Sequence, residues 1–265
     1  MMIMGITCVT SKIHSMHLNE GENNVLGFEG RELKDALERI SVKPVGITAP
    51  LDVTIPGADE FLSYMARVSN PNNQMNFKTA DALLKHCAKE GHWSVFDMVD
   101  IIWEITAPRD ISRQMLRHYS MRFQEFSQRY SDLPDDMFVL RELRMQDSEN
   151  RQNSLECDNQ QWKDEWNNDL KKLLTQTRDF QAKWRGRGAA KECCRVVNME
   201  GLTLSSLYAK IPVRTLTHYL DVRGDKATQK EHRLIVEKML PHMPILLPKT
   251  HKAITGRYIC EDTAT

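Results

Sequence analysis

Residues 113–130 read Arg113-Gln114-Met115-Leu116-Arg117-His118-Tyr119-Ser120-Met121-Arg122-Phe123-Gln124-Glu125-Phe126-Ser127-Gln128-Arg129-Tyr130. On a helix, Arg113 and Arg117 share one face and repel by about a few tenths of a kcal/mol. Arg122 and Arg129 follow, and Glu125 is the only acid in the stretch. Nothing along the sequence neutralises the cluster, so an anion brought from outside is expected. Guanidinium forks suit phosphates and planar carbonyl edges because they offer several donors in fixed geometry. A solvated basic helix end is the bland alternative. Gln114, Ser120, Gln124, Ser127 and Tyr130 weigh against it, because they interleave neutral donors and acceptors with the charges.

From Arg117 to Tyr130 the stretch resembles the signature of the flavin-dependent thymidylate synthases, Arg-His-Arg, seven residues, then Ser. Arg117, His118, Glu125, Ser127, Arg129 and Tyr130 match. Tyr119 stands in place of the second Arg, Arg122 in place of a Ser and Gln124 in place of an Asn. Ala66-Arg67-Val68-Ser69 is similar to an early family element. Gly91 to Asp97 resembles another, with Val95 for Pro and Asp97 for Glu. Arg195, Arg214, His218, Arg223, Gln229, Glu231 and Arg233 fall on later family positions in the right order. The resemblance spans roughly residues 43 to 247.

It implies an α+β variety of α/β fold, a central twisted, mainly antiparallel sheet flanked by long helices. It also implies reductive methylation of dUMP to dTMP, with methylenetetrahydrofolate giving the carbon and FAD reduced by NADPH giving the hydride. By the same carry-over the catalytic positions are Arg223 and Ser127. Arg223 holds negative charge on the pyrimidine, while Ser127 hydrogen-bonds the nucleotide rather than attacking it. Gln114, Arg117, Glu125, Ser127, Arg129, Arg195 and Arg223 are expected around dUMP. Ser94, Arg117, His118, Tyr119, Glu125, Arg214 and His218 are expected along FAD. Members are homotetramers with shared sites, which the resemblance extends to this chain.

Outward from the motif, Val42 to Val53 has the β-branched content of a strand. Thr79 predicts the start of a helix running to Glu90, with Gly91 as its stop. Val99 to Thr106, ending at Pro108, reads as a buried strand. A helix over Asp110 to Arg117 would deliver His118. Residues 145–160 read as a surface loop, and Asn159 to Arg185 as an amphipathic helix with Trp162, Trp166, Leu170, Leu173, Leu174 and Trp184 on its apolar side. Helices at about 213–221 and 227–240 are stopped by Gly224 and Pro241. Periodicity alone leaves α/β and α+β both open. Residues 1–41 read as a poorly ordered extension, 42–250 as one domain and 251–265 as a tail.

With 265 residues, 36 basic and 36 acidic side chains, the chain is long enough for one generous domain and has no net charge to recruit nucleic acid. Six cysteines without a Cys-x-x-Cys spacing favour a reducing cytoplasm over a disulfide framework. No run approaches the roughly 18 apolar residues of a membrane span. The start lacks a basic region and a long apolar core, so no signal peptide is expected.

Several residues have plainer readings. Ser127 outside this context is a turn serine. His86 and His92 have no helical metal spacing and no third ligand, so zinc is not expected. Gly186-Arg187-Gly188 lacks a third Gly and a preceding strand, which makes it a weak dinucleotide loop. Trp162, Trp166 and Trp184 read as packing residues rather than a cofactor box. Two rival classes remain: a non-catalytic nucleotide-binding relative of the same fold, and a single-strand binder using Arg122, Phe123, Phe126 and Arg129.

Overall fold

Alternation along two strands organises the molecule. In a computed structural model describing residues 33–255, the strands are β1 (Ser41–Ile47), β2 (Asp100–Pro108), β3 (Arg122–Glu125), β4 (Arg144–Gln146), β5 (Ser154–Glu156) and β6 (Leu204–Pro212). The main sheet has the order β1-β2-β6-β3, each neighbour antiparallel. Ile101, Trp103 and Ile105 of β2 lie opposite Ile211, Ala209 and Leu207 of β6, and all are buried. The intervening pairs, Ile102 with Lys210, Glu104 with Tyr208 and Thr106 with Ser206, face the other way. The 99–106 strand is therefore buried on one face only, with Ile102 exposed. Antiparallel sheets tolerate this because one face can be solvated. The strand expected over 42–53 stops at Ile47; Pro44 sits on this edge strand, where the missing N–H costs least, beside a register shift at Gly46.

The helices are α1 (Ala36–Arg39), α2 (Ala58–Ala66), α3 (Ala80–Lys89), α4 (Arg109–Met115), α5 (Gln160–Gly186), α6 (Lys191–Cys194), α7 (Val213–Gly224), α8 (Lys230–Met239), α9 (Met243–Leu246) and α10 (Pro248–Ile254). Both central strands end in proline and turn directly into a helix, β2 through Pro108 into α4 and β6 through Pro212 into α7. Because the strands are antiparallel, α4 and α7 start from opposite ends of the sheet. Ile111 and Met115 of α4 and Leu216, Tyr219 and Leu220 of α7 enter the core with Ile235, Val236 and Met239 of α8.

Local signals hold at the helix ends. Gly91, at φ 78°, ends α3, and the His92 N–H closes back on the Cys87 carbonyl. Gly188, at φ 87°, ends α5 the same way, with Gly188 N–H on Arg185 and Ala189 N–H on Trp184. Gly186-Arg187-Gly188 is a helix stop. Asn159 caps α5 by accepting from the Trp162 N–H. Of the apolar side of α5, Leu170 and Leu174 are buried against Phe138, Leu140 and Leu202. Trp162, Trp166, Leu173 and Trp184 stay half-exposed, so these three tryptophans lie outside the buried core, unlike Trp103 of β2.

The stretch expected as a plain loop over 145–160 holds the β4–β5 hairpin. Its turn is organised by Asp147, whose carboxylate accepts from the Glu149 and Asn150 N–H groups and from Asn153. At the ends, Ala36, Ile40 and Ile254 are buried although they lie outside residues 42–250. Most of the expected N-terminal extension and of the tail lies outside the described residues.

Candidate active site

The helix α4 ends at Met115, and a turn follows in which the His118 N–H bonds to the Met115 carbonyl and the Met121 N–H to that of His118. Arg117 therefore lies beyond the helix, not in a charged stripe with Arg113. Arg113 donates to both carboxylate oxygens of Glu125, each at 2.7 Å. Ser205 of β6 adds a third bond to Glu125 at 2.7 Å, and Arg109 approaches to 3.8 Å. Glu200 lies 3.7 Å from Arg113. Arg129 pairs with Glu192 at 2.8 Å. The cluster is thus partly neutralised by the chain itself, contrary to the expectation from local sequence, because the chain turns Glu125 back onto Arg113 and the fold brings Glu192 on α6 and Glu200 from far along the chain. Burial pushes the Arg109 guanidinium below its ordinary value, with Glu125 opposing. Arg109, Ser205 and Glu200 carried no sequence signal.

Arg117 has no hydrogen bond or ion pair among the described residues and is exposed. With His118, Tyr119, Arg214 and His218 it lines an open cavity of about 730 Å³ between the 117–120 turn and α7. Arg214 is anchored to Asp97 at 2.9 Å. Tyr119 is 90% exposed. Arg122 does not enter this cavity; it donates to the Tyr119 and Met121 carbonyls, with its guanidinium 6.0 Å from the Tyr119 ring centre. Ser94 lies on the short 3-10 turn Trp93–Met98, exposed but outside the lining, and Glu125 is outside it too.

Arg223, which the sequence left at a helix end with no partner in view, donates from Nε to His118 Nε2 at 3.1 Å. Burial, then the charges of Arg223 and His218, hold His118 below the usual imidazole range. That suits an acceptor nitrogen. The His118 ring also packs edge-on against Tyr219 at 5.1 Å.

Gln114 points the other way along α4. Its Nε2 donates to Gln229 Oε1 at 2.8 Å, and its Oε1 lies 3.2 Å from His232 Nδ1. His232 Nε2 lies 2.9 Å from the Tyr219 hydroxyl. His232 and Tyr219 are fully buried. Desolvation drives His232 down to about 3, and burial raises the Tyr219 hydroxyl. Next in sequence, Glu231 takes Arg141 at 2.9 Å and Arg144 at 2.8 Å; burial alone would raise its carboxyl, but the two arginines hold it low.

Ser127, Arg129 and Arg195 are not gathered with Arg223. Ser127 is an exposed turn residue whose carbonyl accepts from the Tyr130 and Ser131 N–H groups. Arg195 borders a separate cavity of about 250 Å³ together with Gln128, Arg185, Lys191 and Asn198. Gln128, unremarked in the sequence, is buried and leaves its Nε2 without a partner there.

Residues 51–249 match the family model described as "Thymidylate synthase complementing protein". Over 196 residues the chain is 39% identical to a probable flavin-dependent thymidylate synthase of Paramecium bursaria Chlorella virus 1, covering 73% of this chain and 88% of that protein. Over 200 residues it is 40% identical to a flavin-dependent thymidylate synthase of Synechocystis sp., covering 74% and 90%. Its fold is similar to that of the UMP/dUMP methylase PolB from Streptomyces cacaoi bound with 5-Br UMP, at a TM-score of 0.70 and 22% identity, over 83% of this chain and 95% of that one.

Proposed function

The chain belongs to the flavin-dependent thymidylate synthase family, and on that premise we propose that it methylates dUMP reductively to dTMP, using methylenetetrahydrofolate, NADPH and FAD. One observation carries the reading. Of the seven residues expected along FAD, five (Arg117, His118, Tyr119, Arg214 and His218) line a single cavity. The donor set fits a flavin dinucleotide: Arg117 is a cation without an acid, suited to a pyrophosphate, and Tyr119 offers an open aromatic face. Bound there, FAD supplies the hydride taken from NADPH.

The protein's own contribution is electrostatic. Uracil C5 is a weak nucleophile, and negative charge drawn onto the ring strengthens it. A preorganised guanidinium stabilises that charge without reorganising. Arg223 is suited to this because His118 takes its Nε–H, fixing the plane of the fork and leaving both Nη groups without partners among the described residues. A protonated His118 could not accept that bond, and its lowered basicity keeps it neutral near pH 7.

The nucleotide residues are divided among several places: Gln114 and Arg223 near α7 and α8, Arg117 in the first cavity, Glu125 on Arg113 and Ser205, and Arg195 on the second cavity, where Ser127 and Arg129 flank the lining residue Gln128 in sequence. This division supports a homotetramer in which one copy completes another's site. The uncovered sheet face, with Val45, Ile102 and Tyr208 exposed, agrees with a covering subunit. No helix among the described residues is long and apolar enough to cross a membrane, and Cys87, Cys157, Cys193 and Cys194 are free thiols, which fits a cytoplasmic setting.

The test is the visible spectrum of the purified protein, followed by anaerobic NADPH with and without dUMP. A bound flavin that bleaches faster with dUMP supports the reading. A colourless protein that FAD cannot reconstitute overturns it.

A further inference from the structure

The core beneath the site contains a polar chain that the chemistry above does not use. Tyr219 on α7, His232 on α8 and Gln114 on α4 are bonded in series, the first two fully buried among Ile235, Val236 and Met239. Burying a hydroxyl and an imidazole costs free energy unless both are satisfied, and apolar side chains would pack there at no such cost. Here both are satisfied, and the chain has one direction. Gln114 spends an Nε2 hydrogen on Gln229 Oε1, so its Oε1 faces His232 as an acceptor. His232 must then carry its proton on Nδ1. Its Nε2 is left as an acceptor, and Tyr219 donates to it.

We infer that Tyr219 and His232 are positioning residues that lock the side-chain amide of Gln114 one way round, so that its remaining Nε2 hydrogen is presented to an oxygen of the bound nucleotide. The inference rests on the dUMP reading of the site for the identity of the ligand. The locked amide itself does not depend on it. Without His232, only Gln229, whose own amide can turn over with it, holds the Gln114 amide from the α8 side, and a flipped Gln114 would offer oxygen to oxygen at the nucleotide. Tyr219 further ties the chain to the flavin side, since its ring edge supports His118, the acceptor for Arg223.

The test is a series on the full-length holoenzyme: His232→Leu, His232→Asn and Tyr219→Phe. Asn places an amide N–H where Nδ1–H stood and restores the donor to Gln114; Leu does not. For His232→Leu, KM for dUMP is expected to rise about tenfold, the worth of one oriented hydrogen bond, with kcat and flavin content little changed. His232→Asn should recover most of that loss, and Tyr219→Phe should lie between. In the ligand-free protein, the Gln114 side-chain NH2 resonances should move in His232→Leu and stay close to wild type in His232→Asn. Equal KM values and unmoved Gln114 resonances across the series would overturn the inference and leave the chain a packing feature. If His232→Leu does not fold, the contrast between His232→Asn and Tyr219→Phe decides it. If wild type does not turn over dUMP, that failure belongs to the functional reading, and the resonances still judge the locked amide.

Discussion

Arg223 Nε donates to His118 Nε2 across 3.1 Å, joining the last turn of α7 to the turn that follows α4. The two residues lie 105 positions apart, and neither has another side-chain hydrogen bond among the described residues. Each therefore sets the other's orientation. Arg223→Lys keeps the charge but loses the fork and its Nε donor. The expected result is a fall in kcat of about 100-fold with flavin content retained. Steady-state dTMP formation checks it; a kcat within about threefold of wild type would remove Arg223 from charge stabilisation.

Glu125 has a structural task that its motif position does not reveal. It takes two bonds from Arg113 and one from Ser205, with Arg109 behind. Glu125→Gln leaves two half-buried guanidiniums without their nearest carboxylate, and the cost is expected at about 2–4 kcal/mol. Urea denaturation reads this directly. An unchanged midpoint would show that Glu200 alone neutralises the pair.

Stability should fall on mild acidification for a definable reason. His232 is held neutral, with a folded value of about 3 against an unfolded value near 6.5, and His118 is lowered as well. Between those values the unfolded chain binds the extra proton, so stability rises with pH. For His232 the contribution is complete above about pH 6.5 and is lost at about 1.4 kcal/mol per pH unit as pH falls towards its folded value, and the lowering of His118 acts in the same direction. Arg223 and His118 face His232 and add to the penalty on its charging. Comparing unfolding free energies at pH 7 and pH 5, His232→Asn should show the shallower decline. A parallel decline in both proteins would locate the acid sensitivity elsewhere.

Tyr119 occupies the position of an arginine in the family signature, yet its ring is open to solvent and bonded to nothing through its hydroxyl among the described residues. Tyr119→Arg is expected to leave stability within about 0.5 kcal/mol. A modest change in FAD affinity, read by fluorescence titration, marks Tyr119 as an accommodated variant. Activity appearing only in the substituted protein would mark the natural chain as degenerate.

What could be read from the sequence was what neighbours along the chain enforce. The helix stop at Gly91, the start of the long helix at Asn159 and the strand–Pro–helix passage at Pro108 follow from backbone sterics and orphan amides within a few residues. The 117–130 motif was legible because its spacing is local, and from it came the family. Tertiary structure alone decided which charges meet. Glu125 finds Ser205 through strand pairing, Arg129 finds Glu192 on α6, and Gln114 finds His232, 118 residues on, through the packing of α4 against α8. The sequence's two short periods, 2 for strands and 3.6 for helices, say which face is apolar but not which partner lies across it. Pairings of that range depend on topology, and topology was settled by how the helices, α4, α7 and α8 among them, close over one face of a four-stranded sheet.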